Sequence, residues 1–300
     1  MPVIMFFAFL VMNLGIIGTD TSHATAFATL LNGGKIAGAK IVAAYKGGSA
    51  DVESSRTRVD NYAKELETKW GVEIVNDIPT LASKVDAILL LSVDGRTHLA
   101  QFRAALAAKK PIFIDKPLAS TLADAREIDR LAKEAHVPWF SASSLRWSEI
   151  TSSLEGPGIL GAMAWGPGPF EEHHQLELSW YAIHPIEILF TLMGPGCEEV
   201  TRISGGESDE ITCRWRDGRL GTVRALRPYG TYGAVVFRKE GVQQSPSKPH
   251  TDYEGLVREI VKFFETGKPP VANADTLEIF AFMDAAQRSK EAGGKPMRLK

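Results

Sequence analysis

Residues 14–140 alternate between apolar strand patterns and helix patterns. The segment at 86–92 reads DAILLLS, a continuous apolar run that is typical of a parallel strand buried on both faces. Shorter strand-like segments with helical segments between them fill the rest of this half. They lie at 14–17, 40–45, 72–75, 111–114 and 137–140. Because β-α-β alternation implies a parallel sheet with right-handed crossovers, we predict an α/β fold with a doubly wound parallel sheet.

The pattern changes near residue 141. Short strand-like segments then follow one another closely, separated by turn signals such as Asp217-Gly218. One helix is predicted from about 184 to 193, and two more, at 253–266 and 275–292, close the chain. We therefore predict an α+β second domain with an open, mainly antiparallel sheet. The predicted domains are 12–140 and 141–300.

Composition excludes some classes of partner. The formal net charge of the 300-residue chain is −2, which gives no reason to expect nucleic acid or an anionic membrane surface as partner. The two cysteines, Cys197 and Cys213, lack metal-binding spacing, and we interpret them as thiols in a reducing compartment. We predict a cytoplasmic protein with a small-molecule substrate. A homo-oligomer is also expected, since open sheets often cover a face with a second copy.

The first residues form an almost wholly apolar run, MPVIMFFAFLVM. The run lacks the positive start and small-residue cleavage site of a secretory signal, and it is too short to span a bilayer. We interpret Met12 as the functional start and expect a chain that begins there to fold normally. An export or membrane signal is the alternative.

The loop after the first strand is the first candidate site. A dinucleotide fingerprint would place glycines at 18, 20 and 23, but only Gly18 is present. Asp20 replaces the glycine that lets the backbone approach a pyrophosphate, and His23 replaces the one used for helix–strand packing. Hydroxyls for a phosphate are available from Thr19, Thr21 and Ser22. An ordinary turn capped by Asp20 or Thr21 is the alternative.

Other candidates follow later strands, where ligands of parallel sheets bind. Lys116 lies directly after the fifth strand, between Asp115 and Pro117. Tyr45 and Lys46 end the second strand, where NAD enzymes use an acid for the ribose hydroxyls. Because a lysine stands there instead, the choice between NAD and NADP leans weakly towards NADP.

Two histidine-containing segments of the second half carry further candidates. A spacing of three residues puts His184 and Glu187 on one helix face, where the carboxylate would orient the imidazole. The run at 171–177, EEHHQLE, offers His173 and His174 among carboxylates. Adjacent strand residues point to opposite faces, so we favour a polar loop and assign no metal site.

The order of these segments resembles the Gfo/Idh/MocA oxidoreductase family. That family carries Glu-Lys-Pro where this chain has Asp115-Lys116-Pro117. The segment from Ser92 through Asp94 to His98 is similar to the polar turn and histidine that end its fourth strand. Leu145-Arg146-Trp147 and the closing segments at 260–270 and 285–289 are similar as well. The resemblance spans residues 12–300 and implies a Rossmann domain followed by a substrate domain.

The resemblance also implies roles for particular residues. Lys116 would reach substrate and nicotinamide, and His184 would serve as acid/base at the substrate hydroxyl. The family's His-x-x-Asp becomes His184 with Glu187 here, and Trp180 stands where the family has an earlier aspartate. The cofactor-binding residues implied or predicted lie at or after the ends of the first, second, fourth and fifth strands. They are Gly18, Thr19, Asp20, Thr21, Ser22, Tyr45, Lys46, Ser92, Asp94, His98 and Asp115.

The sequence thus predicts an NAD(P)-dependent oxidoreductase acting on a sugar or polyol-like substrate. Two alternatives remain open. Asp20 and Trp180 favour a non-catalytic Rossmann-type protein that binds a sugar or nucleotide. The third is a metal-assisted lyase or hydrolase that uses His173 or His174 with Glu171.

Overall fold

A computed structural model describes residues 11–227 and 230–300, which form two β-sheets with helices packed around them. The apolar run at 1–10 lies outside the described residues, and Val11, the first described residue, is exposed. The two sheets belong to different parts of the chain. Both predicted architectures, the parallel and the mainly antiparallel sheet, are confirmed.

The first sheet has six parallel strands in the order β3-β2-β1-β4-β5-β6, which is the Rossmann order. Its strands are β1 (Met12–Ile17), β2 (Ala39–Tyr45), β3 (Glu73–Val75), β4 (Ala87–Leu90), β5 (Ile112–Ile114) and β6 (Trp139–Phe140). Every residue of β4 and β5 is buried, as the apolar runs predicted. The order reverses between β1 and β4, so the ligand crevice of this fold lies above those two strands.

Helices connect these strands, and most begin at a residue whose side chain caps them. They are α1 (Ser22–Leu31), α2 (Glu53–Arg56), α3 (Val59–Trp70), α4 (Ile78–Ser83), α5 (Gly95–Leu106) and α6 (Leu122–Ala135). Thr121 Oγ1 accepts from the Asp124 amide at 3.0 Å and caps α6. Helices α2 and α3 are separated by a break at residues 57–58. The short helix α4, which Asp77 caps, was not predicted.

The second sheet has seven strands in the order β12-β11-β7-β10-β9-β8-β13. Only the β7–β10 pair is parallel among its described pairings. The strands are β7 (Gly161–Pro167), β8 (Cys197–Ser204), β9 (Ser208–Trp215), β10 (Leu220–Leu226), β11 (Gly233–Arg238), β12 (Gly241–Gln244) and β13 (Met297–Arg298). The helices of this half of the chain are α7 (Glu149–Ser152), α8 (Ile183–Met193), α9 (Glu254–Thr266) and α10 (Asn273–Glu291).

Helix α9 returns to the first sheet although it lies late in the chain. Its buried residues share one apolar cluster with β1 and α1, and the Phe263 ring lies 5.0 Å from that of Phe140 at the end of β6. The apolar stripe of α9 therefore covers one face of the Rossmann sheet. The domain boundary at residue 140 stays a prediction, and α9 joins the two parts across it.

The interpretation of the cysteines as two thiols is wrong for this structure. Cys197 on β8 and Cys213 on β9 form a disulfide with a Cα–Cα distance of 6.0 Å. The sequence spacing of 16 residues gave no sign of this pair, because the register of two antiparallel strands brings the cysteines together. Among the described helices, none is long and apolar enough to cross a membrane.

Phe263→Ala should destabilise the protein by about 3–5 kcal/mol, because it leaves a cavity between α9 and the Rossmann sheet. Urea unfolding followed by circular dichroism measures this loss. The exposed Val242→Ala serves as control and should change the free energy of unfolding by less than about 0.5 kcal/mol. A loss below about 1 kcal/mol for Phe263→Ala would show that α9 is not packed on the sheet.

Candidate active site

A cleft of about 510 Å³ opens beside the carboxyl ends of β1 and β5 and is walled on its other side by the start of α8. It receives residues from both halves of the chain, which is the place where ligands of two-domain α/β proteins bind. Its lining is mostly polar and aromatic. The lining residues are Thr21, Ser22, His23, Ser54, Arg58, Val93, Lys116, Ser144, Leu145, Trp180, Tyr181, His184, Tyr232, Thr251, Asp252 and Tyr253.

The structure brings Lys116 and His184 to this one cleft. Lys116 directly follows β5, is only 9% exposed, and places its Nζ atom 5.9 Å from the Tyr181 ring centroid. His184 lies in the first turn of α8, on the opposite wall. The two predicted catalytic residues therefore meet at the boundary between the two sheets.

His184 is held as a neutral imidazole. Its Nδ1 atom lies 2.7 Å from Ser143 Oγ, and its ring contacts those of Tyr181 and Tyr232 at 5.6 and 5.7 Å. Burial lowers the pKa of His184 well below its ordinary value, and the positive charge of Lys116 lowers it further. A neutral imidazole can accept a proton from a substrate hydroxyl.

Glu187 does not orient His184, so that prediction is wrong. The carboxylate is buried and forms an ion pair with Arg146 Nε, while Ser143 takes the position beside the imidazole. Burial raises the pKa of Glu187, and Arg146 opposes this effect. Arg146, which the family resemblance singled out, thus holds α8 in place through its ion pair with Glu187.

His23 is a cleft residue that the sequence interpretation missed as a functional group. Its Nδ1 atom lies 2.5 Å from Asp115 Oδ2, and its ring packs 4.6 Å from that of Tyr253. Burial alone would raise the pKa of Asp115, but His23 and Lys116 outweigh it and hold the pKa below its ordinary value. The carboxylate of Asp115 therefore orients His23 and does not itself line the cleft. The sequence feature that could have indicated this role is the histidine at position 23, where the fingerprint has its third glycine.

The glycine-poor loop folds in a way that the fingerprint did not indicate. Thr21 caps α1 by accepting from the His23 amide at 3.3 Å, and Ser22 is exposed to the cleft. Thr19 is fully buried, and its hydroxyl donates to the Val59 carbonyl at 2.9 Å. Of the predicted loop residues, Thr21 and Ser22 reach the cleft, whereas Gly18 and Thr19 do not.

Asp20, which was predicted among the cofactor-binding residues, does not line the cleft. It is fully buried, and its carboxylate accepts from Ser55 Oγ at 2.6 Å and from the Val93 amide at 3.2 Å. Burial raises the pKa of Asp20, while the hydrogen bonds from Ser55 and Val93 oppose this rise. The residue joins the α1 loop to the connection after β2 and to the turn after β4.

The connection after β2 covers the crevice between β1 and β4. We call residues 47–58 the strap. Ser49 Oγ on the strap donates to Asp94 Oδ2 at 2.6 Å, although Asp94 follows β4 on the far side of β1. A Cβ atom added at Gly47 would lie 3.3 Å from Gly18 Cα and 3.2 Å from Ser92 Oγ. The strap therefore lies directly over the carboxyl ends of β1 and β4.

The predicted residues of the β4 end are buried beneath or beside the strap. His98 is fully buried, its ring nitrogens lying 2.7 Å from the Ser92 carbonyl oxygen and 3.2 Å from that of Leu118. Burial would raise the pKa of Asp94, but hydrogen bonds from His174, Arg96 and Ser49 hold it well below its ordinary value. Ser92, Asp94 and His98 therefore make contacts within the protein.

At the end of β2, Tyr45 is half-buried and Lys46 is exposed. Lys46 Nζ lies 2.9 Å from Asp60 Oδ1, so this strand end presents both signs of charge. This ion pair weakens the argument that Lys46 favours NADP. The preference for NADP over NAD stays a prediction.

A dinucleotide fits only part of this site as it stands. The first turn of α1 reaches the cleft at Ser22 and suits an anionic group, since a helix N-terminus carries partial positive charge, and Arg58 adds a cation to the cleft. The crevice above β1 and β4, where the rest of a dinucleotide would lie, is filled by the strap. The residues present therefore do not fit a whole dinucleotide while the strap is closed.

The two adjacent histidines of the 171–177 run have separate partners. His173 Nδ1 lies 2.6 Å from Glu171 Oε1, whereas His174 is buried with its Nε2 atom 3.1 Å from Asp94 Oδ1. Within residues 11–227 and 230–300, no group of three or more His, Cys, Asp or Glu side chains is arranged to hold a metal ion. Trp180 lines the cleft and packs 5.0 Å from the His174 ring.

Comparison with known proteins agrees with this architecture. Residues 12–143 match the family model GFO_IDH_MocA, described as an oxidoreductase family with an NAD-binding Rossmann fold. An uncharacterized oxidoreductase, YdgJ of Escherichia coli, is 34% identical over 89 residues, which are 29% of this chain and 25% of that protein. Inositol 2-dehydrogenase of Acidiphilium cryptum is 32% identical over 120 residues, which are 39% of this chain and 32% of that protein. The chain thus aligns with a third or less of either relative's length.

A solved structure extends the likeness to the second sheet. The myo-inositol dehydrogenase of Lactobacillus casei, in complex with NAD(H) and myo-inositol, superposes with a TM-score of 0.75 at 19% identity. The match covers 97% of each chain. At this identity the match shows that the whole described architecture is shared.

The strand order and the matched model together define the N-terminal part as an NAD-binding type of Rossmann domain. Residues 12–143 thus match the model of the Gfo/Idh/MocA oxidoreductase family, and the resemblance seen in the sequence is confirmed over those residues.

Ser143→Ala should shift the imidazole of His184 at a small cost in stability, whereas Glu187→Ala should cost more stability and leave the imidazole in place. Ser143→Ala removes the hydrogen-bond partner of Nδ1 and a local cap, which costs about 1 kcal/mol and shifts the His184 imidazole resonances. Glu187→Ala leaves Arg146 buried without its carboxylate and should cost about 3–5 kcal/mol.

Urea unfolding and imidazole NMR spectra of both variants decide whether Ser143 or Glu187 orients the imidazole of His184. Large shifts of the His184 resonances in Glu187→Ala, with none in Ser143→Ala, would restore Glu187 as the residue that orients the imidazole.

Proposed function

We propose that this protein is an oxidoreductase that acts on a sugar or polyol-like substrate in the cleft between the two sheets. The observation that carries the proposal is the meeting of Lys116 and a neutral His184 on opposite walls of one polar cleft. The family of the Rossmann domain and the inositol dehydrogenase among its relatives support the same substrate class.

Lys116 is the group that positions the substrate oxygen. Its side chain is almost buried, so its ammonium donates hydrogen bonds in surroundings of reduced dielectric, where they are stronger than in water. A polyol offers hydroxyl groups to Lys116 and to the tyrosines and serines of the cleft wall. The aromatic rings of Trp180 and Tyr181 suit the apolar C–H faces of a sugar ring.

His184 is the group that exchanges the proton. When a hydroxyl group is oxidised, its proton must leave, and a neutral imidazole within the cleft can accept it. Ser143 fixes the ring through Nδ1, which leaves Nε2 for the substrate.

The family predicts NAD or NADP as the cofactor, and such a cofactor exchanges a hydride with its substrate when bound. The closed strap determines whether this chain admits it. The weak preference for NADP rests on Lys46 alone. A homo-oligomer and a cytoplasmic location remain predictions of the same kind.

A second function is favoured by a specific observation. Asp20 and the strap fill the crevice of a Rossmann fold, as they would in a protein that binds a sugar without hydride transfer. Turnover separates the two functions, because a binding protein retains the cleft and its ligand but forms no product.

Lys116→Ala and His184→Ala should each lower turnover of the best substrate by about 10²–10⁴-fold, since each removes a group that acts on the reacting oxygen. Product formation is measured with NAD and with NADP over a panel of sugars and polyols that includes myo-inositol. The exposed Lys239→Ala serves as the control and should retain full activity. Near-normal turnover in either cleft variant would remove that residue from the reaction.

The imidazole of His184 should titrate well below the ordinary histidine pKa of about 6.5. Because its pKa is depressed in the folded protein, its contribution to stability is complete above the unfolded-state pKa. That contribution is lost as pH falls through the folded-state pKa. In Lys116→Ala the pKa of His184 should rise but stay below the ordinary value, since burial is the larger cause. NMR titration of the ring protons measures both, and an unshifted titration in the wild type would contradict the neutral imidazole.

A further inference from the structure

The strap occupies the place where a Rossmann fold binds its ligand, yet it is held there mainly by polar contacts. Ser49 bonds to Asp94, Ser55 bonds to Asp20, and Asp51 pairs with Arg96 at 2.9 Å. Val52 is its one fully buried apolar residue. A segment with so little apolar burial can leave its site more easily than a core element.

The ends of the strap suit a segment that moves. Gly47 and Gly48 have φ angles of +59° and +99°, a backbone region that glycine enters without strain. They follow directly after β2 and Lys46, so a rotation there would swing the strap while the sheet stays fixed. The far end of the strap is the short break between α2 and α3, directly before α3 begins at Val59.

The closed strap does not supply hydrogen-bond partners for two polar atoms buried beneath it. Ser92 Oγ and Gln101 Oε1 are buried without a hydrogen-bond partner, and both residues lie against Gly47. Buried polar atoms without partners carry a free-energy cost, so the closed strap is not the best occupant of this crevice. A ligand with hydroxyl or amide groups would supply the missing partners.

We propose that the strap is a displaceable gate over the dinucleotide crevice, and that a nicotinamide dinucleotide binds only after the strap leaves. The proposal rests on the proposed oxidoreductase function. The free energy needed to open the strap is subtracted from binding, so the wild type binds the cofactor more weakly than an opened form does.

The gate also couples cofactor binding to substrate binding. Ser54 and Arg58 belong to the strap and line the substrate cleft, while Ser49 and Ser55 fasten it over the crevice. Displacing the strap therefore changes the wall of the substrate cleft. A cofactor that opens the strap therefore changes the affinity for substrate. By thermodynamic reciprocity, bound substrate changes the affinity for cofactor by the same factor.

The double variant Ser49→Ala, Ser55→Ala tests the gate, because it removes the two hydroxyl fasteners. NADH and NADPH fluorescence titrations should show at least tenfold tighter binding of one nucleotide than in the wild type. The matched control is Ser83→Ala, Ser152→Ala, two exposed serines outside the crevice, which should bind as the wild type does. Equal affinity of all three forms would overturn the gate and leave the proposed function intact. Absence of binding in every form would overturn both.

A measurement on the unaltered protein covers the case of a misfolded variant. Trypsin cleavage after Arg56 and Arg58 should be faster in saturating NADH than without it, while cleavage elsewhere in the chain serves as internal reference. An unchanged or slower rate at these two bonds, with NADH bound, would show that the strap stays in place and would overturn the gate.

Discussion

The buried carboxylate of Asp20 is the contact on which the site depends. It accepts from Ser55 on the strap and from the Val93 amide after β4, so one side chain joins three connections at the carboxyl edge of the sheet. A glycine here would leave the Ser55 hydroxyl and the Val93 amide buried without a partner, at a cost of about 1–3 kcal/mol each. The aspartate that departs from the dinucleotide fingerprint thus has a structural role. It closes the crevice that the fingerprint would have opened.

The reactive cleft is separate from that crevice and stays open. Lys116 comes from the end of a parallel strand and His184 from a helix that packs on the second sheet, so neither half of the chain forms the site alone. Helix α9 fixes the two halves together, because it carries a late segment back onto the Rossmann sheet. The Asp115–His23 pair adds a second ordered imidazole to the same cleft. Acid/base groups are therefore in place whether or not the crevice holds a cofactor.

Local patterns in the sequence were sufficient for the two sheets and for Lys116 and His184 in the cleft, but not for α4. The apolar run of β4 and the lysine after β5 each follow from a few neighbouring residues, and the structure has both. The partners of buried charges were not predictable in this way. Glu187 lies one helical turn from His184 but pairs with Arg146, 41 residues earlier, and Asp20 bonds to Ser55, 35 residues later. Such choices depend on which groups the complete fold leaves within reach, as does the Cys197–Cys213 pair.

Amide hydrogen exchange of the nucleotide-free protein tests the central claim, that the crevice is closed by the chain itself. The Ser49 amide donates to Ser55 Oγ and the Val93 amide to Asp20, so both should exchange slowly, far more slowly than the amides of the exposed residues Gly206 and Glu207. Fast exchange at both amides, at the rate of that exposed segment, would show that the strap does not cover the crevice in solution.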